Sequence, residues 1–318
     1  MYVYELQIAA SYIPVHLNAI FSSKYMSFSY DLIDESLAGR MLEHIKLSSS
    51  TFFILDLTRI KTAHSRVFED FSKLSLGNKH VIFINADDTL LGHLSQTIPD
   101  TICEDTTVFL TEEGRDHFYK EEGSSKTSID KLINGIIANY LLETSTSKDV
   151  FLDSSNVYSN MYVDIKQLFY EPNIYLLAIY LLCKKIADQF HREHYDGFIC
   201  ASNNGSVLAT SLSLLLNKPC VHLMNLGPHL TIMDREIIDK IAEKKTYLFI
   251  YDFICLGTEL KLVKTLATLR GAKVAASFGI ANHLLPSRQE PPRRYEPFVF
   301  SLFTINEDFN FNYQVSIA

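Results

Sequence analysis

A chain of 318 residues with 47% apolar and 21% charged residues can bury the core of one large domain or two ordinary ones without a disulfide or a metal staple. That composition excludes intrinsic disorder, a collagen-like repeat and a coiled coil. The formal net charge of −8, from 29 Lys and Arg against 37 Asp and Glu, argues against nucleic-acid binding through a broad basic face. The basic pairs Lys184-Lys185, Lys244-Lys245 and Arg293-Arg294 are isolated and read as solvated surface.

In chain order, residues 2–8 form a predicted strand, and Leu37, Met41, Leu42 and Ile45 mark a helix over 36–47. The run FFILDL at 52–57 reads as a buried strand, followed by helical spacing of Val67, Phe68, Phe71 and Leu74. A second buried strand, VIFI at 81–84, ends in polar residues, and a weaker one lies at 108–110. The charged, Ser-rich stretch 112–128 reads as an exposed loop or linker, and a helix is expected over 129–142. The polar run 143–149 then marks a domain boundary. Residues 1–148 are expected to form an N-terminal α/β domain, for which no role is assigned, and 149–318 a second domain.

The second half is more regular. Helices are expected at 174–190, 206–216, 237–243 and 259–269, and strands at 197–201, 220–224, 246–251 and 273–278. This β-turn-α alternation predicts an α/β fold with a parallel sheet and helices on both faces. Such sheets place ligands at the carboxyl ends of their strands.

Five cysteines, Cys103, Cys183, Cys200, Cys220 and Cys255, are odd in number, far apart and without a Cys-x-x-Cys pair. That is the pattern of reduced thiols in a cytosolic protein. The first 15 residues lack a basic region followed by a long apolar stretch, and the most apolar helix candidate, 174–183, is too short to span a bilayer. A cytoplasmic protein with no membrane association is the expectation. Cys220 and His222 invite a metal reading, but no third ligand stands nearby in sequence, so no metal site is expected.

The most informative segment is 246–273, in which a buried strand ends at Asp252 and a short loop with Gly257 and Thr258 runs straight into a helix. Such a loop offers backbone N–H groups and a helix N-terminus to an anion, while the carboxylate accepts hydrogen bonds from sugar hydroxyls. The simpler reading is that Asp252 and Thr258 cap the helix.

That segment resembles the phosphoribosyl pyrophosphate (PRPP) motif of type I phosphoribosyltransferases, in which two acids close a strand before a Thr/Gly-rich loop. The stretch VFLDSSNVYSNMYVDIKQLFYEP at 150–172 is similar to the segment preceding the first core helix of the orotate-type enzymes, and DGFICASNNGSVLATSLSLLL at 196–216 to the family's first strand, pyrophosphate loop and helix. The resemblance covers about half the chain. It implies a five-stranded parallel core topped by a small hood, with PRPP or a nucleotide as ligand. Asp252 would then hold ribose hydroxyls, the backbone of Cys255, Leu256, Gly257 and Thr258 the 5′-phosphate, and the loop of Ser202, Asn203, Asn204 and Gly205 the pyrophosphate. Mg²⁺ would arrive only with PRPP, and a homo-oligomer is expected.

The chain departs from the family pattern where chemistry is concentrated. Tyr251 stands in place of the first acid, Cys255 and Leu256 replace hydroxyl residues, and Glu259 would bring a negative charge to the 5′-phosphate site. The loop HLMNLGPHLTIMDRE at 222–236 has no Lys and only Arg235, where the family places Arg and Lys to neutralise pyrophosphate. His222 and His229 are poor substitutes for an ammonium at neutral pH. The expectation is a divergent member of the family that binds PRPP or a nucleotide with glycosyl transfer weakened or lost. Two alternatives stay open: an active orotate-type enzyme, and a non-catalytic scaffold that binds a protein partner through its N-terminal half. In that half, residues 52–74 faintly resemble the sulfate-transporter/anti-sigma-antagonist module, with Ser65 and Thr62 near its phosphorylation position, although a helix N-cap at Ser65 is the simpler reading.

Overall fold

The computed structural model describes residues 1–6, 10–22, 31–72, 78–98, 101–122, 126–145, 150–152, 157–159, 163–190, 194–223, 238–254, 257–283, 298–305 and 315–317. The chain divides into two compact units, Met1–Ile136 and Ile137–Ala318.

The first unit is built on six strands: β1 (Tyr4–Leu6), β2 (Ala10–Pro14), β4 (Phe52–Asp56), β6 (His80–Ile84), β7 (Ile102–Glu104) and β8 (Thr107–Phe109), in the order β1-β2-β4-β6-β8-β7. The central β2, β4 and β6 are parallel, and the two flanks are antiparallel. Helices α1 (Val15–Ser22), α2 (Glu35–Leu47), α3 (Ser65–Ser72) and α4 (Asp88–Thr97) join them, with a two-stranded pair β3 (Leu32–Ile33) and β5 (Thr62–Ala63). Residues 52–56 are all buried, as a central parallel strand with both faces covered must be. The carboxylate of Asp56, 0% exposed, accepts hydrogen bonds from Tyr12 Oη (2.6 Å), Thr58 N (2.9 Å), Thr58 Oγ1 (2.6 Å) and Asn85 Nδ2 (2.9 Å). These bonds make it a structural acid.

The described residues of the stretch 112–128 are helical, not a loop. They form α5 (Glu112–Glu122) and the start of α6 (Lys126–Thr144). Gly114 N donates to Thr111 Oγ1 at 3.1 Å, Glu112 and Glu113 sit in the first turn, and Lys120 in the last, so caps and dipole favour the helix despite its polarity. Phe118 anchors it, with its ring against Phe52 and Phe109.

In the second unit, Ala138, Leu141 and Leu142 of α6 face Phe303 and Ile305 across a small apolar gap. Five strands form one wholly parallel sheet: β11 (Gly197–Cys200), β12 (Cys220–His222), β13 (Thr246–Ile254), β14 (Lys273–His283) and β15 (Phe298–Ile305), ordered β12-β11-β13-β14-β15. Helices α7 (Gln167–Tyr170) and α8 (Pro172–Gln189) precede the sheet, α9 (Asn203–Leu216) joins β11 to β12, and α10 (Thr258–Leu269) joins β13 to β14. Leu260, Val263, Leu266 and Ala267 of α10 pack on Ile199, Tyr247, Phe249 and Tyr251. The alternate strand residues face α8 and α9 on the other side. Three short strands, β9 (Val150–Leu152), β10 (Val157–Ser159) and β16 (Val315–Ile317), form a separate antiparallel sheet in the order β16-β10-β9. Among the described residues, no helix is long and apolar enough to cross a membrane.

Candidate functional site

From β11 the chain crosses to the edge strand β12, and from β13 it moves the opposite way to β14. The order of strands therefore reverses between β11 and β13, and α9 and α10 leave on opposite faces. Such a switch point opens a crevice at the carboxyl ends of the two strands, where open parallel sheets bind ligands.

The sequence-predicted residues that the structure describes meet at this point. Ser202, Asn203, Asn204 and Gly205 are not a free turn: Ser202 is the N-cap of α9, and the other three form its first turn. Ser202 Oγ accepts from Gly205 N at 3.0 Å and donates to Asp252 Oδ1 at 3.3 Å. Asn204 Nδ2 donates to Asp252 Oδ2 at 2.8 Å. The carboxylate of β13 is thus tied to the first turn of α9 by both its oxygens. Gly205 permits this approach, because a Cβ there would lie 3.0 Å from Ile250 O and 2.8 Å from Ser202 Oγ.

On the opposite helix, Gly257 is the N-cap of α10 in the left-handed region (φ 70°), and Thr258 is the first helical residue. Among the described residues no side chain caps this helix, so its leading N–H groups are available to an anion. Cys255 and Leu256, the remaining members of the expected phosphate loop, lie outside the described residues. So do residues 224–237, which carry His229, Arg235 and the turn at 226–228.

Tyr251, in place of the family's first acid, is turned away. It is 1% exposed, its ring lies over Gly279 of β14, and its hydroxyl donates to Phe300 O at 2.7 Å. Burial holds its phenol well above the ordinary tyrosine range. Buried, and with its hydroxyl proton committed to Phe300 O, it is a structural residue.

Glu259, expected to repel phosphate, is half-buried. Burial, and secondarily the nearby Asp252 carboxylate, push its pKa up to about 7. A substantial fraction is therefore neutral at physiological pH, which lowers the repulsion anticipated from sequence.

Two strands also bring together a cluster that sequence spacing did not reveal. Cys200 at the end of β11 pairs with His222 of β12, and Cys200 Sγ lies 3.3 Å from His222 Nδ1. Cys220 joins them, and the three potential donor atoms all lie within 4.8 Å of one another. The missing third partner is Cys200, reached by strand pairing rather than by proximity in the chain. Within the thiol pair, the hydrogen bond from Cys220 lowers the pKa of Cys200, while that bond and burial raise the pKa of Cys220.

No family model and no curated protein sequence matches this chain. Among solved structures, it is similar to orotate phosphoribosyltransferase from Aeropyrum pernix, with 17% identity over 54% of this chain and 96% of that one, at a TM-score of 0.41. It is also similar to UMP synthase from Leishmania donovani, with 10% identity over 87% of this chain and 55% of that one, at 0.42. An adenine phosphoribosyltransferase from Thermoanaerobacter pseudethanolicus aligns at 15% identity over 45% of this chain and 88% of that one, at 0.36.

Proposed function

We propose that the second unit is a phosphoribosyltransferase-like module that binds PRPP or a nucleotide at the carboxyl ends of β11 and β13, with glycosyl transfer weakened or lost. The observation that carries this reading is the position of Asp252. It lies near the carboxyl end of β13 at the switch point, two residues before the strand finishes at Ile254 rather than at its end as the sequence suggested. There it is held between the Ser202-capped start of α9 and the start of α10, which no described side chain caps. Ribose hydroxyls would donate to Asp252, and the phosphate would lie on the leading N–H groups of α10. The partial protonation of Glu259 supports an anion there at neutral pH.

Mg²⁺ fits this donor set only as a passenger of the ligand. Asp252 is a single carboxylate already accepting two hydrogen bonds, and Tyr251 has replaced its neighbour, so most ligand oxygens would come from the diphosphate and water. Loss of transfer is supported by the sequence of 222–236, which carries no Lys to neutralise a leaving pyrophosphate.

Thermal unfolding of the full chain with PRPP and Mg²⁺, nucleoside monophosphates, or pyrophosphate tests the binding. A concentration-dependent rise in Tm with a ribose-phosphate ligand supports the reading, and no rise with any of them sinks it. Pyrophosphate release with a panel of nucleobases then decides activity: turnover would restore the orotate-type enzyme reading.

A further inference from the structure

We propose that Cys200, Cys220 and His222 form a binding site for a thiophilic divalent cation of the zinc class at the β11–β12 edge of the five-stranded sheet. The site lies at the carboxyl end of β11 beside the first turn of α9, next to the ribose-phosphate crevice, and does not rest on that reading.

The argument begins with strand alternation. Cys220 and His222 lie two apart on β12 and project from one face, while Val221 between them packs against the core on the other. Parallel pairing sets Cys200 opposite His222, so three side chains from two strands converge on the side facing α9, where Ser206 Oγ is 3.7 Å from Cys200 Sγ. Their donor atoms lie within 4.8 Å of one another, with the Cys200 Sγ to His222 Nδ1 separation at 3.3 Å. Around a tetrahedral zinc ion, a sulfur and a nitrogen ligand stand about 3.5 Å apart and two sulfurs about 3.8 Å, as bond lengths of about 2.3 and 2.0 Å require. The trio is therefore at nearly ligand spacing, and only small side-chain shifts would close it around an ion.

The chemistry of the set selects the cation. Two sulfurs and one imidazole nitrogen favour zinc or another thiophilic ion over Mg²⁺ or Ca²⁺, which demand oxygen. Three protein ligands leave the fourth position to solvent or an exogenous ligand. Binding displaces the thiol protons and fastens β12, an edge strand of three residues, to β11.

Titration of the reduced full chain with Co²⁺ as a spectroscopic stand-in tests the site. The expected result is a thiolate-to-cobalt charge-transfer band with tetrahedral ligand-field absorption, saturating at one equivalent and displaced by Zn²⁺. It should vanish in Cys220→Ser and His222→Gln with circular dichroism unchanged, and persist in Cys103→Ser, which alters an exposed thiol in the other unit. No band in fully reduced wild type would overturn the proposal, as would a band that survives both substitutions. Should those variants fail to fold, alkylation mapping of the wild type decides. Zn²⁺ must protect Cys220, which is partly exposed, while leaving Cys103 reactive, and equal labelling of Cys220 with and without Zn²⁺ refutes the site.

Discussion

Asn204 donates its side-chain amide to Asp252 Oδ2 at 2.8 Å, across the gap between the first turn of α9 and the end of β13. With Ser202 on the other carboxylate oxygen, this bond fixes the acid at the point where the sheet order reverses. Asn204→Ala should lower stability by about 1–2 kcal/mol, since it strips a partly buried carboxylate of one of its donors. Urea unfolding measures this, and an unchanged midpoint would mean that the bond contributes nothing.

Ser202→Ala removes both the α9 cap and the second hydrogen bond to Asp252. The expected loss is about 1–2 kcal/mol, while Ser202→Asn or Ser202→Thr, which still cap, should retain part of it. If Ala and Thr at this position unfold alike, capping is not the reason Ser202 is there.

Gly279 has no room for a side chain. A Cβ at this position would sit 2.3 Å from two carbons of the Tyr251 ring and 2.4 Å from Tyr251 O, and the backbone oxygen cannot swing away. Gly279→Ala should therefore cost about 2–3 kcal/mol or more, whereas Tyr251→Phe, losing only the bond to Phe300 O, should cost about 1 kcal/mol. Comparing the two by thermal unfolding checks the ranking, and the reverse order would contradict it.

Glu259 gives a pH signature. The folded protein holds its proton up to about pH 7, and the unfolded chain only to the ordinary value of 4.5. The folded state thus binds more protons across that window, so stability falls as pH rises through it. Relative to Glu259→Gln, the wild type should lose on the order of 2–3 kcal/mol between those limits. The same variant should flatten any strengthening of anion binding at lower pH. Parallel stability profiles for the two proteins would remove Glu259 from the account.

Much of the second unit was legible because its strands are continuous apolar runs, such as GFICA and TYLFIY, separated by polar turns and helical periodicity. Asp252 was legible as the polar end of such a run. The small sheet was not readable from local pattern, because β9, β10 and β16 hold three residues each and β16 pairs with β10 from more than 150 residues away. The α5 helix was hidden by its charge, since one buried aromatic, Phe118, and favourable ends outweigh a missing apolar stripe. The Cys200–Cys220–His222 cluster was hidden for a different reason: register between strands, rather than spacing along the chain, sets residue 200 beside residue 222. Asn203 and Asn204 read as turn residues because Asn favours turns, yet the Ser202 cap draws both into α9.

The most direct test of the central claim is calorimetric titration of PRPP with Mg²⁺ into the wild type and Asp252→Ala near neutral pH. Saturable binding to the wild type, abolished in a variant that keeps its circular dichroism spectrum, is the predicted result. No binding to the folded wild type, or equal binding to both proteins, would contradict a ribose-phosphate site at the end of β13.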